Sequence, residues 1–285
     1  MSHPFRREIQ KLRALVFGYT LFFIAGYELN RDFAMWCDRW WRARHPHSSA
    51  RSKPNTKWFD LLEGAWPRDP WRRELKEDFP ALRGVEDNPL WTVLAWEDIP
   101  SDAADLFIQR VHMNGAPLHP FTEKGMEALC GCPDWTRLAY LVALLRTRDL
   151  RYLTHRLWLR KNFSCYVKLV CLTTPCCACS SELYRRLHEL YLLGQLGEVD
   201  HWPMNLQAFN KALRRHELLW GSLERKNWLH EWDAFGVTML WHVMADLQLI
   251  ASRFDQGQND CPRGLLQRVR TTLTKHSETV IKLID

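Results

Sequence analysis

Apolar residues recur at helical spacing from the start of the chain. Leu12, Leu15, Val16, Tyr19, Phe22 and Phe23 mark one face of a segment that runs from Phe5 to about Arg44 without a proline. That pattern predicts one long helix or two. In HPHSSARSKPNT, residues 45–56, the periodicity is lost and loop formers take over, which makes this stretch a linker. Asp69 and Pro70 read as a cap and a first-turn proline, opening a short helix that Pro80 ends. PLWTVLAWEDIP, residues 89–100, is bounded by prolines and leans towards a strand. Ser101 is placed to cap SDAADLFIQRVHM, and Pro133 with Asp134 opens the apolar helix DWTRLAYLVALLRTR. FSCYVKLVCLTT, residues 163–174, is rich in β-branched and aromatic side chains and fits strand or helix, whereas SSELYRRLHELYLLGQLG is amphipathic and closes at glycine. Further helices are expected from Pro203 to Trp220, Leu223 to about Phe254 and Pro262 to Ile284.

The sum is a mainly α, multi-helix globular fold, with any strand confined to the neighbourhoods of 89–100 and 163–174. Its expected organisation is an N-terminal helical segment (1–44), a basic linker (45–56) and a main helical domain (57–285) carrying a cysteine-rich stretch at 165–180. No internal repeat points to a solenoid. At 285 residues with 46% hydrophobic side chains the chain can bury a sizeable core, and its fifteen tryptophans belong mostly there. A net charge of +6 favours acidic partners, nucleic acid or anionic lipid without choosing among them. The uncharged run from Ala14 to Tyr27 follows the basic FRREIQKLR as in a signal peptide. It is too short to span a bilayer comfortably and is followed by no small-residue cleavage site, so a buried helix and no transmembrane span are expected.

Nine cysteines is an odd number, and the adjacent Cys176 and Cys177 suit a disulfide scaffold poorly, which places the chain in a reducing setting. Zinc takes four thiolate or imidazole ligands, and close pairs supply two from one turn. Cys130 with Cys132 and Cys176 with Cys179 are such pairs; Cys171, Cys177, Cys165, His112 and His119 are further candidates. Unligated, buried cysteine is the competing reading. Cys171, Cys176 and Cys179 also reproduce the spacing of a plant-type ferredoxin, but no glycine wraps the loop and the next cysteine, Cys261, is distant. Catalytic signatures are thin: there is no phosphate-cradling glycine loop, and the His-Glu pairs at His188, His216 and His230 lack the second histidine of a zinc-protease motif. A cysteine nucleophile is the enzymatic alternative.

Two surfaces suggest binding. Leu21, Ala25 and Leu29 stand four apart, as one face of a docking helix or as a core stripe. Arg39, Arg42, Arg44, Arg51 and Lys53 with Trp40 and Trp41 interleave cations and rings, as a nucleic-acid groove or as a solvated border. The C-terminal segment sets Leu265, Leu266, Val269, Leu273, Val280 and Ile281 against Arg263, Arg268, Arg270, Lys275 and Lys282, a basic amphipathic helix expected to pack on the core.

RDLRYLTHRLWLRK, then LVCLTTPCCACSS followed by YRRL, and CPRGLLQRVR resemble blocks in the second half of the 34 kDa protein family of adenovirus early region four. WTVLAWEDIPSD followed by EALCGC is similar to its first half. The separated blocks cover about half the chain, and the family's cysteine cluster is spaced differently from CCAC. The resemblance implies a non-enzymatic early viral regulator that binds zinc through Cys and His, works in the nucleus and cytoplasm of a host cell, and acts with a second viral protein. It also implies recruitment of a host ubiquitin ligase of elongins, a cullin and a RING subunit, with TLFFIAGYEL as the elongin box and Leu21, Ala25 and Leu29 as its contacts. The alternative class is a basic nucleic-acid-binding protein with a structural zinc site.

Overall fold

Pro4 stands in the first turn of α1 (Pro4–Ala25), where its missing N–H costs nothing. Gly26 ends the helix: its φ of +69° is the left-handed conformation open to glycine, and its N–H donates to the Phe23 carbonyl at 3.1 Å. α2 (Asn30–Arg44) then leaves at 85°, so the proline-free N-terminal stretch is two helices. The computed structural model describes residues 4–47, 55–96, 102–113, 115–131, 133–173 and 175–224. Over these the chain is mainly α-helical, as its periodicity predicts. The helices expected at 223–254 and 262–284, together with the Ser101 cap, lie outside the described residues or run out of them.

The described residues fall into two compact units. The first comprises those of Met1–Asp98 and Thr174–Leu187. It contains α1, α2, α3 (Thr56–Leu62), α4 (Asp69–Asp78), α5 (Ala81–Glu86), α6 (Pro89–Ala95), the 3-10 turn Cys176–Cys179 and the beginning of α11 (Ser180–Leu192). α1 is its hub: Leu12, Ala14, Leu15, Val16, Phe17 and Leu21 are all buried, and the helix packs on α3, α5, α6 and the 3-10 turn. The approach to α3 is so close that a Cβ on Gly18 would stand 2.8 Å from the Leu61 carbonyl oxygen. Asp38 of α2 fixes the start of α3, accepting from the Trp58 indole N–H at 2.7 Å and from the Asn55 N–H at 2.9 Å. Asn55 in turn caps the helix, its side chain accepting from Lys57 N–H at 3.2 Å. The buried Glu86 carboxylate is paired with Arg72 at 3.2 Å and with Lys76, and Arg13 of α1 donates to the Glu86 carbonyl. Arg186 of α11 donates to the Leu94 carbonyl at 3.1 Å, satisfying one of the open acceptors at the end of α6.

The second unit comprises the described residues of Ile99–Thr173 and His188–Asp285. It holds α7 (Ala103–Gln109), an antiparallel pair of two-residue strands β1 (His112–Met113) and β2 (Ala116–Pro117), α8 (Glu123–Cys130), α9 (Trp135–Arg146), α10 (Leu153–Leu172), the end of α11 and α12 (Leu206–Glu224). Asp134 opens α9 as expected, accepting from the Arg137 N–H at 2.7 Å. α9 is buried on every side, with Leu138, Ala139 and the whole run Leu141–Leu145 out of water, and packs on α7, α8 and α10. Tyr166 of α10 donates to the Cys130 carbonyl at 2.9 Å, and Ser164 to the His201 carbonyl at 2.9 Å. Among the described residues no single helix is long and apolar enough to cross a membrane.

Two local expectations are corrected. Residues 89–95 are not a strand but α6, because the Asn88 side chain caps the turn, accepting from Leu90 N–H at 3.0 Å, with Pro89 in the first turn. Of the two alternatives left open for residues 163–174, the helix is found: 163–172 continue the 20-residue α10 without a break, nearly all their side chains are buried, and tertiary burial outweighs the small helix penalty of Val and aromatic residues. Phe23, expected on the core face of α1, is instead exposed.

The Gly18 contact generates a paired expectation. Gly18→Ala forces α1 and α3 apart and lowers stability by about 1–3 kcal/mol. Gly84→Ala, in exposed helix with open space at the Cβ, raises it by about 0.5–1 kcal/mol. Urea denaturation of both variants checks the two signs.

Candidate functional site

The turn between α1 and α2 carries the most exposed apolar cluster of the first unit. Leu29 caps α2, its carbonyl accepting from Phe33 N–H at 3.1 Å while its side chain stays 64% exposed. Phe23 and Ile24, in the last turn of α1, are 41% and 45% exposed. Beneath them the elbow is fixed by rings: Phe22 lies 5.2 Å from Phe33, Phe33 stacks on Trp36, and Tyr27 packs against Trp36 at 6.5 Å. The Arg39 guanidinium donates to the Tyr27 hydroxyl at 3.3 Å. Three large apolar groups are therefore presented to water on a braced turn.

Leu21, Ala25 and Leu29 do not form the single helical face their spacing suggests. Leu21 is wholly buried in the core, Ala25 is half-buried as the last residue of α1, and Leu29 lies beyond the Gly26 break. Of the three only Leu29 offers its side chain to a partner. Phe23 and Ile24 are the exposed residues beside it, and the glycine after the apolar run was the sequence signal that the stripe breaks there.

Arg42 and Arg44 of α2 are engaged within the fold. Arg44 pairs with Asp78 at 2.8 Å and Glu74 at 3.6 Å and lies over the Trp40 ring, whose indole N–H donates to Asp78 at 2.7 Å. Arg42 donates to the Asp38 carbonyl of its own helix at 3.2 Å. Trp41 stacks on His45 at 3.9 Å and lies 4.5 Å from Trp71. Trp71 is stacked by Trp58 at 4.8 Å and covered by the Lys57 ammonium at 4.9 Å, so its faces are taken. A shallow cavity of about 160 Å³ beside it is lined by Lys57, Asp60, Trp66 and Arg68. Arg51 and Lys53 lie outside the described residues.

Cys176 and Cys179 share one 3-10 turn, where both are buried. Burial raises the Cys179 thiol far above its ordinary value, with Glu182 and Cys177 adding to the effect. The same turn packs on Tyr19 of α1, whose phenol is raised first by burial and then by Cys179 and Glu182. Cys130 closes α8 in the other unit, and Cys132 lies outside the described residues. Among the described residues no three of His, Cys, Asp and Glu gather as a metal centre requires. The turn thus offers two of the four positions a tetrahedral zinc needs.

For a cysteine nucleophile, the nearest grouping is Cys165, Lys168 and His216, where α10 meets α12. Burial pushes the Cys165 thiol up to about 12, the reverse of the depressed value that activates a nucleophile. Burial lowers Lys168, and it pushes His216 down to about 4, helped by the charges of Lys168 and Arg215 and opposed by the hydrogen bond to the Ala212 carbonyl. The grouping is thus biased towards neutral groups, as befits a helix interface.

Comparison of the chain with protein-family models, with curated proteins and with solved structures gave no match.

His216 sets a pH dependence. Its folded pKa is depressed below the unfolded value, so its contribution to stability is full above about pH 6.5 and is lost as pH falls towards 4. Stability should drop by roughly 1–3 kcal/mol more across that window in the wild type than in His216→Gln, measured by denaturant titration at stepped pH.

Proposed function

We propose that this chain is a non-catalytic adaptor that recruits a host elongin–cullin ubiquitin ligase to target proteins, with the α1–α2 elbow as its elongin-docking surface. The observation that carries the reading is the exposure of Phe23, Ile24 and Leu29 on a turn braced by Phe33, Tyr27 and Trp36. Apolar groups left in water on a rigid frame bind with little ordering cost, which is how a docking surface gains affinity. An adaptor of this kind contributes proximity alone, raising the effective concentration of a target beside the ligase. The partner's identity rests on the resemblance of the TLFFIAGYEL segment and the downstream RLW and cysteine blocks to the adenovirus early region four 34 kDa family. The same resemblance supplies the remaining proposals: action with a second viral protein, in the nucleus and cytoplasm of the host cell, with zinc as a structural ion.

The test is a titration of the purified full chain with the elongin B–elongin C heterodimer by calorimetry. Wild type binds, and the double substitution Phe23→Ser, Leu29→Asp weakens binding by about tenfold or more with an unchanged thermal midpoint. Leu21→Ala acts differently, costing about 2–5 kcal/mol of stability as a core cavity while the folded fraction still binds. Absence of binding by the wild type, or binding indifferent to the double substitution, overturns the reading.

A further inference from the structure

We infer that a second protein-docking surface lies on the exposed face of α10 and that its occupant is an acidic amphipathic helix of a partner protein. Leu150, in the 3-10 turn Leu150–Tyr152 that leads into α10, and Leu153 and Leu157 of α10 are 79%, 45% and 49% exposed, and the four-residue spacing sets Leu153 and Leu157 one turn apart on the same face of the helix. The opposite side of α10, with His155, Leu159 and Phe163, is buried, so the leucines occupy the face turned to water. A ridge at this spacing matches the apolar stripe of a second helix. It is one residue wide, with exposed Thr154 beside it, which is narrow for a face that lies in a lipid surface.

Charge selects the partner. From Arg146 to Lys161 the exposed cations are Arg148, Arg151 and Lys161, with Arg160 half-buried, Arg146 and Arg156 buried, and Asp149 the single carboxylate. That carboxylate is used locally: it caps the Arg151 N–H at 2.9 Å and binds the Arg151 guanidinium at 2.6 Å. Asp105, packed under the same turn, is also consumed, accepting from the Thr147 hydroxyl and from the N–H groups of Arg148 at 3.1 Å and Asp149 at 3.3 Å. Arg156 donates to the Asp149 carbonyl at 2.8 Å and His155 bonds the Leu118 carbonyl at 3.0 Å. These bonds hold the start of the ridge in place. The exposed Arg148 and Lys161 flank it and attract glutamates and aspartates on a helix lying along the leucines.

The experiment uses the full chain and a fluorescein-labelled designed peptide of about 18 residues, long enough to form a helix on contact, with leucines on one face and glutamate elsewhere. A second peptide replaces every glutamate by lysine, and vesicles of phosphatidylcholine with phosphatidylserine form a third arm. Anisotropy is expected to show binding of the acidic peptide, about tenfold or more weaker binding of the basic one, and a loss of about tenfold or more in Leu153→Glu, Leu157→Glu. Arg148→Glu, Lys161→Glu should weaken binding about fivefold and flatten its salt dependence. Phe23→Ser, Leu29→Asp should leave it unchanged, so this surface stands or falls independently of the elongin reading. Equal binding of both peptides, binding of neither, indifference to the leucine substitutions, or leucine-dependent binding of the vesicles in place of the peptide overturns the inference.

Discussion

Burying tryptophan commits a donor. A ring of that size contributes more apolar area than any other side chain, but its indole N–H must find an acceptor once water is excluded, and in this chain the rings of the first unit draw on its own carboxylates and carbonyls. Trp58 takes Asp38, Trp40 takes Asp78 and Trp91 takes the Val85 carbonyl at 2.6 Å. In the second unit Trp202 stacks on Phe163 and donates to His188 at 3.1 Å. Each bond fixes where a helix can start or cross. Asp38 is the clearest case, because the same carboxylate that accepts from Trp58 also orders Asn55 and through it the first turn of α3.

This use of acids shapes the surface. Asp78 and Glu74 of α4 are held by Trp40, Arg44 and His45, so Arg44 serves the packing of α2 against α4. Asp105 and Asp149 are held inside the turn before α10, and Arg148 and Lys161 are exposed at the surface.

Helix existence was legible in the sequence wherever caps and periodicity agreed. Asp134 before an apolar run and Gly194 after α11 at φ +70° sit where the sequence places a boundary, and α4 starts at the expected Asp69-Pro70, although Asp69 is its first residue and Arg68, without a side-chain bond, its cap. The misreading at 89–95 has one cause: local composition was weighed above start signals. Asn88-Pro89 is a helix opening, yet the valine, threonine and tryptophan behind it spoke for a strand. For residues 163–174 composition left strand and helix open, and burial on all sides decides for the helix. Leu21 and Leu29 share a spacing but not a helix, because a single glycine stands between them. Which apolar residues stay exposed was not legible at all, since Phe22 and Phe23 differ only in phase and their fates are set by where Phe33 and Trp36 arrive.

The sulfur chemistry follows from the same packing. A thiol serves as nucleophile or metal ligand through its thiolate, and the thiolate needs either water or a neighbouring cation. Cys37 is buried beside Asp38, Cys179 beside Glu182, and both are driven to the neutral form, first by burial and then by the adjacent carboxylate. Cys165 has Lys168 for a neighbour, but the lysine is itself buried and its attraction fails to offset the desolvation. Cys37 and Cys165 therefore pack as small apolar side chains between helices. Activating the Cys165 thiol would require a charge that its buried surroundings oppose, whereas the apolar area of Leu29 and Leu157 already stands in water.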